Sequence, residues 1–323
     1  MGIFDKRVSF KPFEYPDVMD FKDAIRQSYW IHSEWNFTSD IHDFHLLPEV
    51  EKNVVKNAML AISQIEISVK KFWGNLGNRF PKAEFDQVGI TFAESEVRHA
   101  DAYSHLLEVL GLNQDFEILL QNPVIQGRVD YLTKYLRGAA DNSDQNYMLT
   151  LTLFSIFIEN VSLFSQFLIL KSFNKYKNIL KDVDNVVQAT LKEEELHALF
   201  GVHIINYIKK ESPEWFNEDF SNKIKRACKK AYDSEVNIIN WIFENGDLDF
   251  IKQNTVIEFT KDRFNKSLEM LNIDPVFEVD HEELEKIKWF HEELKTEVST
   301  DFFYKRPVTY SKKIQPITSG DLF

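Results

Sequence analysis

Glycine and proline are scarce in this 323-residue chain, at ten and nine residues. Typical usage is roughly 7% and 5%. A β-sandwich or barrel with many tight turns is therefore disfavoured, as is a dinucleotide fold with glycine-rich loops. Few punctuating residues imply long uninterrupted elements, which here means helices. Cysteine occurs once, at Cys228. A single thiol excludes an internal disulfide framework and a cysteine-rich zinc site, and it fits a reducing cytoplasm. Any dithiol redox chemistry would have to sit on another chain. Basic residues are outnumbered, 38 Lys and Arg against 51 Asp and Glu, for a net charge of −13. An acidic chain repels phosphate backbones, which disfavours a nucleic-acid partner. No basic amphipathic segment suggests a membrane surface, and MGIFDKRVSF lacks a hydrophobic signal core. Phe is abundant, at 28 residues, which suits a large aromatic core.

The organisation along the chain is all-α. Residues 1–20 contain Pro12 and Pro16 and read as an extended N-terminal arm. Residues 21–300 read as one helical domain, and 301–323 as a flexible C-terminal tail. Helical periodicity runs from about 50 to 76, through Val54, Val55, Ala58, Met59, Ile62, Ile65 and Val69. Gly74 and Gly77 end it, and Pro81 opens a second helix that stops at Gly111. A shorter helix is expected near 124–137, long ones over 145–172 and 183–210, and two or three more over 214–272. The helical pattern fades beyond about 295. Met148–Leu170 is long and apolar enough to span a bilayer. It carries one central charge, Glu159, and many hydroxyl and amide side chains, so the better reading is a helix buried in a soluble bundle. A carboxylate in the driest part of a chain needs a cation or a proton.

Glu66 poses the same problem, flanked by Ile65 and Ile67 in AISQIEISV. Two further segments carry Glu and His three residues apart, Glu96/His99 and Glu194/His197. That spacing puts a carboxylate and an imidazole on one helix face. A bare Glu-x-x-His match is weak, since composition alone gives about one per chain of this kind. A third, Glu278/His281, sits in an acidic run after Pro275 and reads as solvated surface. The order is the stronger signal. Glu66 precedes Glu96 by 30 residues, and Glu159 precedes Glu194 by 35. Each interval is one helix up, a turn, and one helix down, which brings the ligands level in an antiparallel pair. Two such hairpins make a four-helix bundle with four carboxylates and two His pointing inward. This resembles the dimetal-carboxylate core of ferritin-like bundles. Oxygen and imidazole ligands suit iron or manganese better than copper or structural zinc.

The same residues resemble the small (β, radical-generating) subunit of class I ribonucleotide reductase, from about residue 20 to the C-terminus. In ESEVRHADAYSHLLEVL, Tyr103 follows His99 by four residues, the spacing of the tyrosine that can hold the family's stable radical. The resemblance implies Glu66, Glu96 and His99 for one metal and Glu159, Glu194 and His197 for the other. Glu96 and one carboxylate of the second hairpin are the implied bridges. Leu163 and Phe167 fall where the family builds an apolar pocket around its radical. Trp30, in SYWIHSEW, resembles the electron-relaying tryptophan, with Glu34 as a nearby acid. Glu193 stands where an acid links a metal-bound His to that tryptophan. Tyr310, with Tyr304 as its rival, resembles the tail tyrosine of the transfer path. The terminal SGDLF, with Leu322 and Phe323 as anchors, resembles the peptide that docks on the large subunit. A homodimer is also implied.

Glu66 departs from the best-known diiron-tyrosyl members, which have Asp there. A longer carboxylate alters bridging and metal preference. Subgroups with this departure include dimanganese centres in which the metals hold the oxidant and the tyrosine is idle. Manganese is therefore preferred over iron, with a mixed Mn/Fe pair third. Lys70, four residues after Glu66, either faces the metals or extends to solvent. Three rival functions stand beside the reductase subunit: another dimetal oxidase or oxygenase, a ferritin-like metal store, and a metal-free helical scaffold.

Overall fold

The thirty residues between Glu66 and Glu96 are spent on two antiparallel helices. In the computed structural model, which describes residues 2–138 and 143–301, they belong to α3 (Glu49–Gly74) and α5 (Ala83–Val109). Before them come α1 (Val18–Gln27) and α2 (Thr38–Leu46), and the short α4 (Leu76–Arg79) makes the connection. The second pair follows α6 (Asn113–Ile118) and α7 (Pro123–Gly138). Its first member is one rod from Asp144 to Lys177, made of α8 (Asp144–Leu153), a π-helical stretch (Phe154–Ser162) and α9 (Phe164–Lys177). Its second member is α10 (Lys181–Glu211). Flanking helices α11 (Glu218–Ile242), α12 (Gln253–Glu269), α13 (His281–Glu285) and α14 (Lys288–Asp301) complete the described chain. No strand occurs among the described residues. The all-α, ferritin-like bundle expected from the sequence is the fold.

Helix limits follow local chemistry. Pro81 precedes α5, whose first turn carries Glu84 and Asp86, favourable at a helix N-terminus. α10 has no cap of its own. Its first amides are satisfied from α2: Asp43 accepts from Leu180 N at 3.1 Å and Asp40 from Val183 N at 2.8 Å. The preceding turn is made by Asn178 and Leu180, both at positive φ. α8 starts on Ser143 and α11 on Asn217, each accepting an amide of its own first turn.

The apolar middle of the rod, residues 150–173, is buried inside the bundle. A π turn leaves main-chain carbonyls without their usual amide partners. Here two buried arginines take them up. Arg263 of α12 donates to Asn160 O, with Nε at 2.9 Å, and Arg128 of α7 donates to Ser162 O. The guanidinium of Arg263 also lies 3.7 Å from the Phe164 ring centre. The widened turn is thus held at Glu159 from two sides. α10 crosses close by, because Gly201 leaves room for Ser155. A Cβ at Gly201 would lie 1.8 Å from Ser155 Oγ.

The N-terminal arm is docked rather than free. Ile3 is fully buried, its amide donates to Glu211 at 2.7 Å, and Arg7 pairs with the buried Glu84. The chain already turns helical at Val18, inside the stretch expected to be arm. At the other end α14 continues to Asp301, past the point where the apolar pattern fades. Tyr304, Tyr310, Leu322 and Phe323 lie outside the described residues.

Candidate metal centre

Two of the core helices, α5 and α10, repeat a four–three spacing along their inner faces. On α5 it runs Phe92, Glu96, His99, Tyr103, and on α10 Thr190, Glu194, His197, Gly201. The α5 residues named are fully or almost fully buried, as are Thr190, Glu194 and His197. The six proposed ligands converge in two overlapping groups. Glu66, Glu96 and His99 present ligand atoms within 4.8 Å of one another, and so do Glu96, Glu159, Glu194 and His197.

The two imidazoles are arranged alike. His99 Nε2 is 2.8 Å from Glu193 Oε2, and His197 Nε2 is 3.0 Å from Ser95 Oγ. Their outer nitrogens are thus held by second partners, and both Nδ1 atoms face the centre. Such outward bonds fix tautomer and ring orientation in metal sites. His99 Nδ1 lies 3.5 Å from Glu96 Oε2 and 3.0 Å from Glu194 Oε1. His197 Nδ1 lies 3.0 Å from Glu96 Oε1 and 3.4 Å from Glu194 Oε2. Glu96 and Glu194 therefore each turn one oxygen toward each histidine. Glu66 Oε2 lies 3.9 Å from His99 Nδ1 and Glu159 Oε2 3.6 Å from His197 Nδ1, so each of these faces one histidine.

Both oxygens of Glu66, Glu96 and Glu194, and Nδ1 of both histidines, are buried without a hydrogen-bond partner. Orphaned groups of this kind are costly in a protein core. Burial pushes the carboxyls of Glu66 and Glu159 well above the usual range. Burial lowers the affinity of His99 and His197 for protons, but the surrounding carboxylates outweigh it and hold both imidazoles protonated above their ordinary range. Four carboxylates and two inward nitrogens fit two divalent cations, which relieve the same repulsion that the protons relieve.

Tyr103 is buried beside this cluster, and burial raises its hydroxyl well above the usual phenol range. Its hydroxyl donates to Thr190 Oγ1 at 3.4 Å. A cavity of about 300 Å³ reaches inward to Glu66 and Tyr103 past Ser63, Ile67 and Ser104. Leu163 and Phe167 are both buried. Lys70 is half-buried and donates to the main-chain carbonyl of Glu66 at 3.2 Å, so its charge stays on the backbone beside the ligand. Trp30 is buried, nearly parallel to the His99 ring at 5.9 Å between centres. Glu193 contacts His99 as expected, but its other oxygen accepts from Arg98 Nη2 at 2.9 Å. The Trp30 indole nitrogen is buried with no partner. Glu34 is exposed on a short 3₁₀ turn, accepting from Ile31 N. His281 is exposed, as the surface reading of the third Glu-x-x-His required.

Three neighbours were not anticipated. Trp73 donates its indole N–H to Glu159 Oε1 at 2.8 Å. It lies two turns after Glu66 on the same face of α3, a spacing that gives it away. Ser95 and Arg98 carry no such signal, since both bond across to other helices.

Four carboxylates and two imidazoles offered by four helices define a dimetal-carboxylate protein of the ferritin-like kind. The chain belongs to the ribonucleotide reductase small-chain family, which it matches over residues 7–285. It is 24% identical over 322 residues to a probable ribonucleoside-diphosphate reductase small subunit of Invertebrate iridescent virus 3, covering 95% of this chain and 85% of that protein. Among solved structures it resembles the ribonucleotide reductase R2 subunit from Clostridium botulinum, at TM-score 0.80 and 14% identity, over 91% of this chain and 94% of that one. An R2-like ligand-binding oxidase with a Mn/Fe cofactor is also similar, at TM-score 0.68 and 19% identity, over 80% of this chain and 93% of that one. Family membership favours the reductase subunit over the oxidase, storage and scaffold readings.

Proposed function

We propose that this chain generates and stores the oxidising equivalent used by the large subunit of a class I ribonucleotide reductase to convert ribonucleotides to deoxyribonucleotides. The carrying observation is the cluster of Glu66, Glu96, His99, Glu159, Glu194 and His197, in which both oxygens of Glu66, Glu96 and Glu194 and Nδ1 of both histidines are buried without a hydrogen-bond partner. A bound pair of manganese or iron ions supplies the one-electron oxidising power that these side chains lack. The longer Glu66 favours manganese, with iron second and a mixed pair third.

Of the two stores that the resemblance implies, the metals and Tyr103, the metals are the better supported. Oxidising a buried phenol requires its proton to leave, and the hydrogen bond of Tyr103 goes to a threonine hydroxyl, a weak base, and to no carboxylate. Trp30, stacked by His99, receives the equivalent first, and Tyr310 carries it onward. Residues 305–323 dock on the large subunit through Leu322 and Phe323, and two copies of the chain form the working dimer.

Metal analysis and EPR of freshly isolated protein, followed by a reductase assay with the large subunit, test this reading. Deleting residues 305–323 should abolish reductase activity and leave metal content intact. Activity that survives the deletion, or oxidase activity without a large subunit, would contradict it.

A further inference from the structure

Arg98 has no place in the ligand set, yet it is 4% exposed and stands one residue before His99 on α5. All three guanidinium nitrogens are engaged. Nη2 donates to Glu193 Oε1 at 2.9 Å, on α10. Nη1 donates to the Trp30 main-chain carbonyl at 3.3 Å. Nε donates to Glu94 at 3.0 and 3.2 Å. The guanidinium also lies 4.7 Å from the Tyr29 ring centre and 5.5 Å from that of Trp30. A planar fork with five donors suits such a junction, and the point charge of lysine reproduces only part of it.

We infer that Arg98 is the positioning residue that fixes Trp30 against His99 and shares the charge of Glu193 with that histidine. This rests on the functional reading above. The link from Glu193 to Trp30 passes through Arg98 and the main chain, because the indole N–H meets no acceptor. Trp30 is thus held by its carbonyl and its two faces. Two consequences follow. The main chain of Trp30 is hydrogen-bonded to α5 through the Arg98 side chain, while His32 of the same segment rests on the His105 ring at 5.0 Å between centres. Second, Glu193 donates less negative charge to His99 than a carboxylate bonded to that imidazole alone. Removing the guanidinium charge returns that negative charge to the metal ligand, which stabilises the more oxidised metal.

The test compares Arg98→Met, Arg98→Lys and Glu94→Gln in the full chain. Hydrogen exchange of the amides in residues 28–35 is read on metal-free protein, and the reduction potential on metal-loaded protein. Arg98→Met should speed exchange in that segment by at least about tenfold, since it removes the contacts that close it, and should lower the potential. Arg98→Lys should restore the potential, because it restores the charge, while leaving exchange partly elevated. Glu94→Gln alters a half-exposed partner, so it serves if Arg98→Met does not fold, and it should raise exchange to a smaller extent. Unchanged exchange in every folded variant, or an Arg98→Lys potential equal to that of Arg98→Met, would overturn the inference. Failure of the wild-type chain to take up metal would instead count against the proposed function, and the exchange result would still decide the role of Arg98.

Discussion

Trp73 donates its indole N–H to Glu159 at 2.8 Å, joining α3 to the π stretch of the apolar rod. It fixes one oxygen of Glu159 and leaves the other toward His197. Replacing Trp73 with Phe keeps most of the apolar volume and removes the donor. Metal affinity at the Glu159/His197 side should fall about 10–100-fold, the usual cost of losing such a partner. Affinity at the Glu66/His99 side should be little changed. Titration of metal-free protein with Mn²⁺ resolves the two sites.

Tyr103 bonds to Thr190 and to no ligand carboxylate. Tyr103→Phe should therefore retain most of the reductase activity when assayed with the large subunit. Wild-type protein should show no tyrosyl EPR signal in its active form. A strong tyrosyl signal that vanishes in Tyr103→Phe together with activity would place the stored equivalent on this side chain.

Gly201 passes Ser155 with no room for a methyl group, since a Cβ would fall 1.8 Å from Oγ and 2.3 Å from Cβ of that serine. Gly201→Ala should destabilise the fold by about 1–3 kcal/mol through overpacking. It should also push α10 away from the rod, lowering metal content. Thermal unfolding and metal analysis check both effects.

The docked N-terminal arm should respond to acid. Burial raises the Glu84 carboxyl, but its bonds with Arg7 outweigh this and hold it below the usual carboxylate range. A depressed folded-state value adds stability above the unfolded value of about 4.3, and this is lost as pH falls through the folded value. Protection of the amides in residues 2–15, relative to their intrinsic exchange rate at each pH, should thus fall on acidification below about pH 4. Glu84→Gln should show lowered protection already at neutral pH, with little further change in acid.

The ligand set was legible because its residues are chemically out of place. Glu66 and Glu159 interrupt apolar stretches, and burial makes such interruptions expensive unless a cation is present. The spacings to Glu96 and Glu194 then gave the two hairpins. Helix limits near Gly74, Pro81 and Gly111 were legible from the same few punctuating residues. The π stretch was not, because its stabilisers, Arg128 and Arg263, come from helices far away in sequence. The docking of the arm was hidden for the same reason, since Glu211 and Glu84 receive it. Nothing in the sequence singles out Arg98, and only the convergence of Glu193 and Trp30 on it reveals its place.

The most direct measurement is the metal content of protein loaded anaerobically with Mn²⁺ or Fe²⁺, for the wild type and for Glu96→Ala and Glu194→Ala. Glu96 and Glu194 each face both histidines. The wild type should therefore hold two ions per chain, one for each ligand group, and either variant should lose both together. No bound metal in the wild type, or undiminished loading in both variants, would contradict the account.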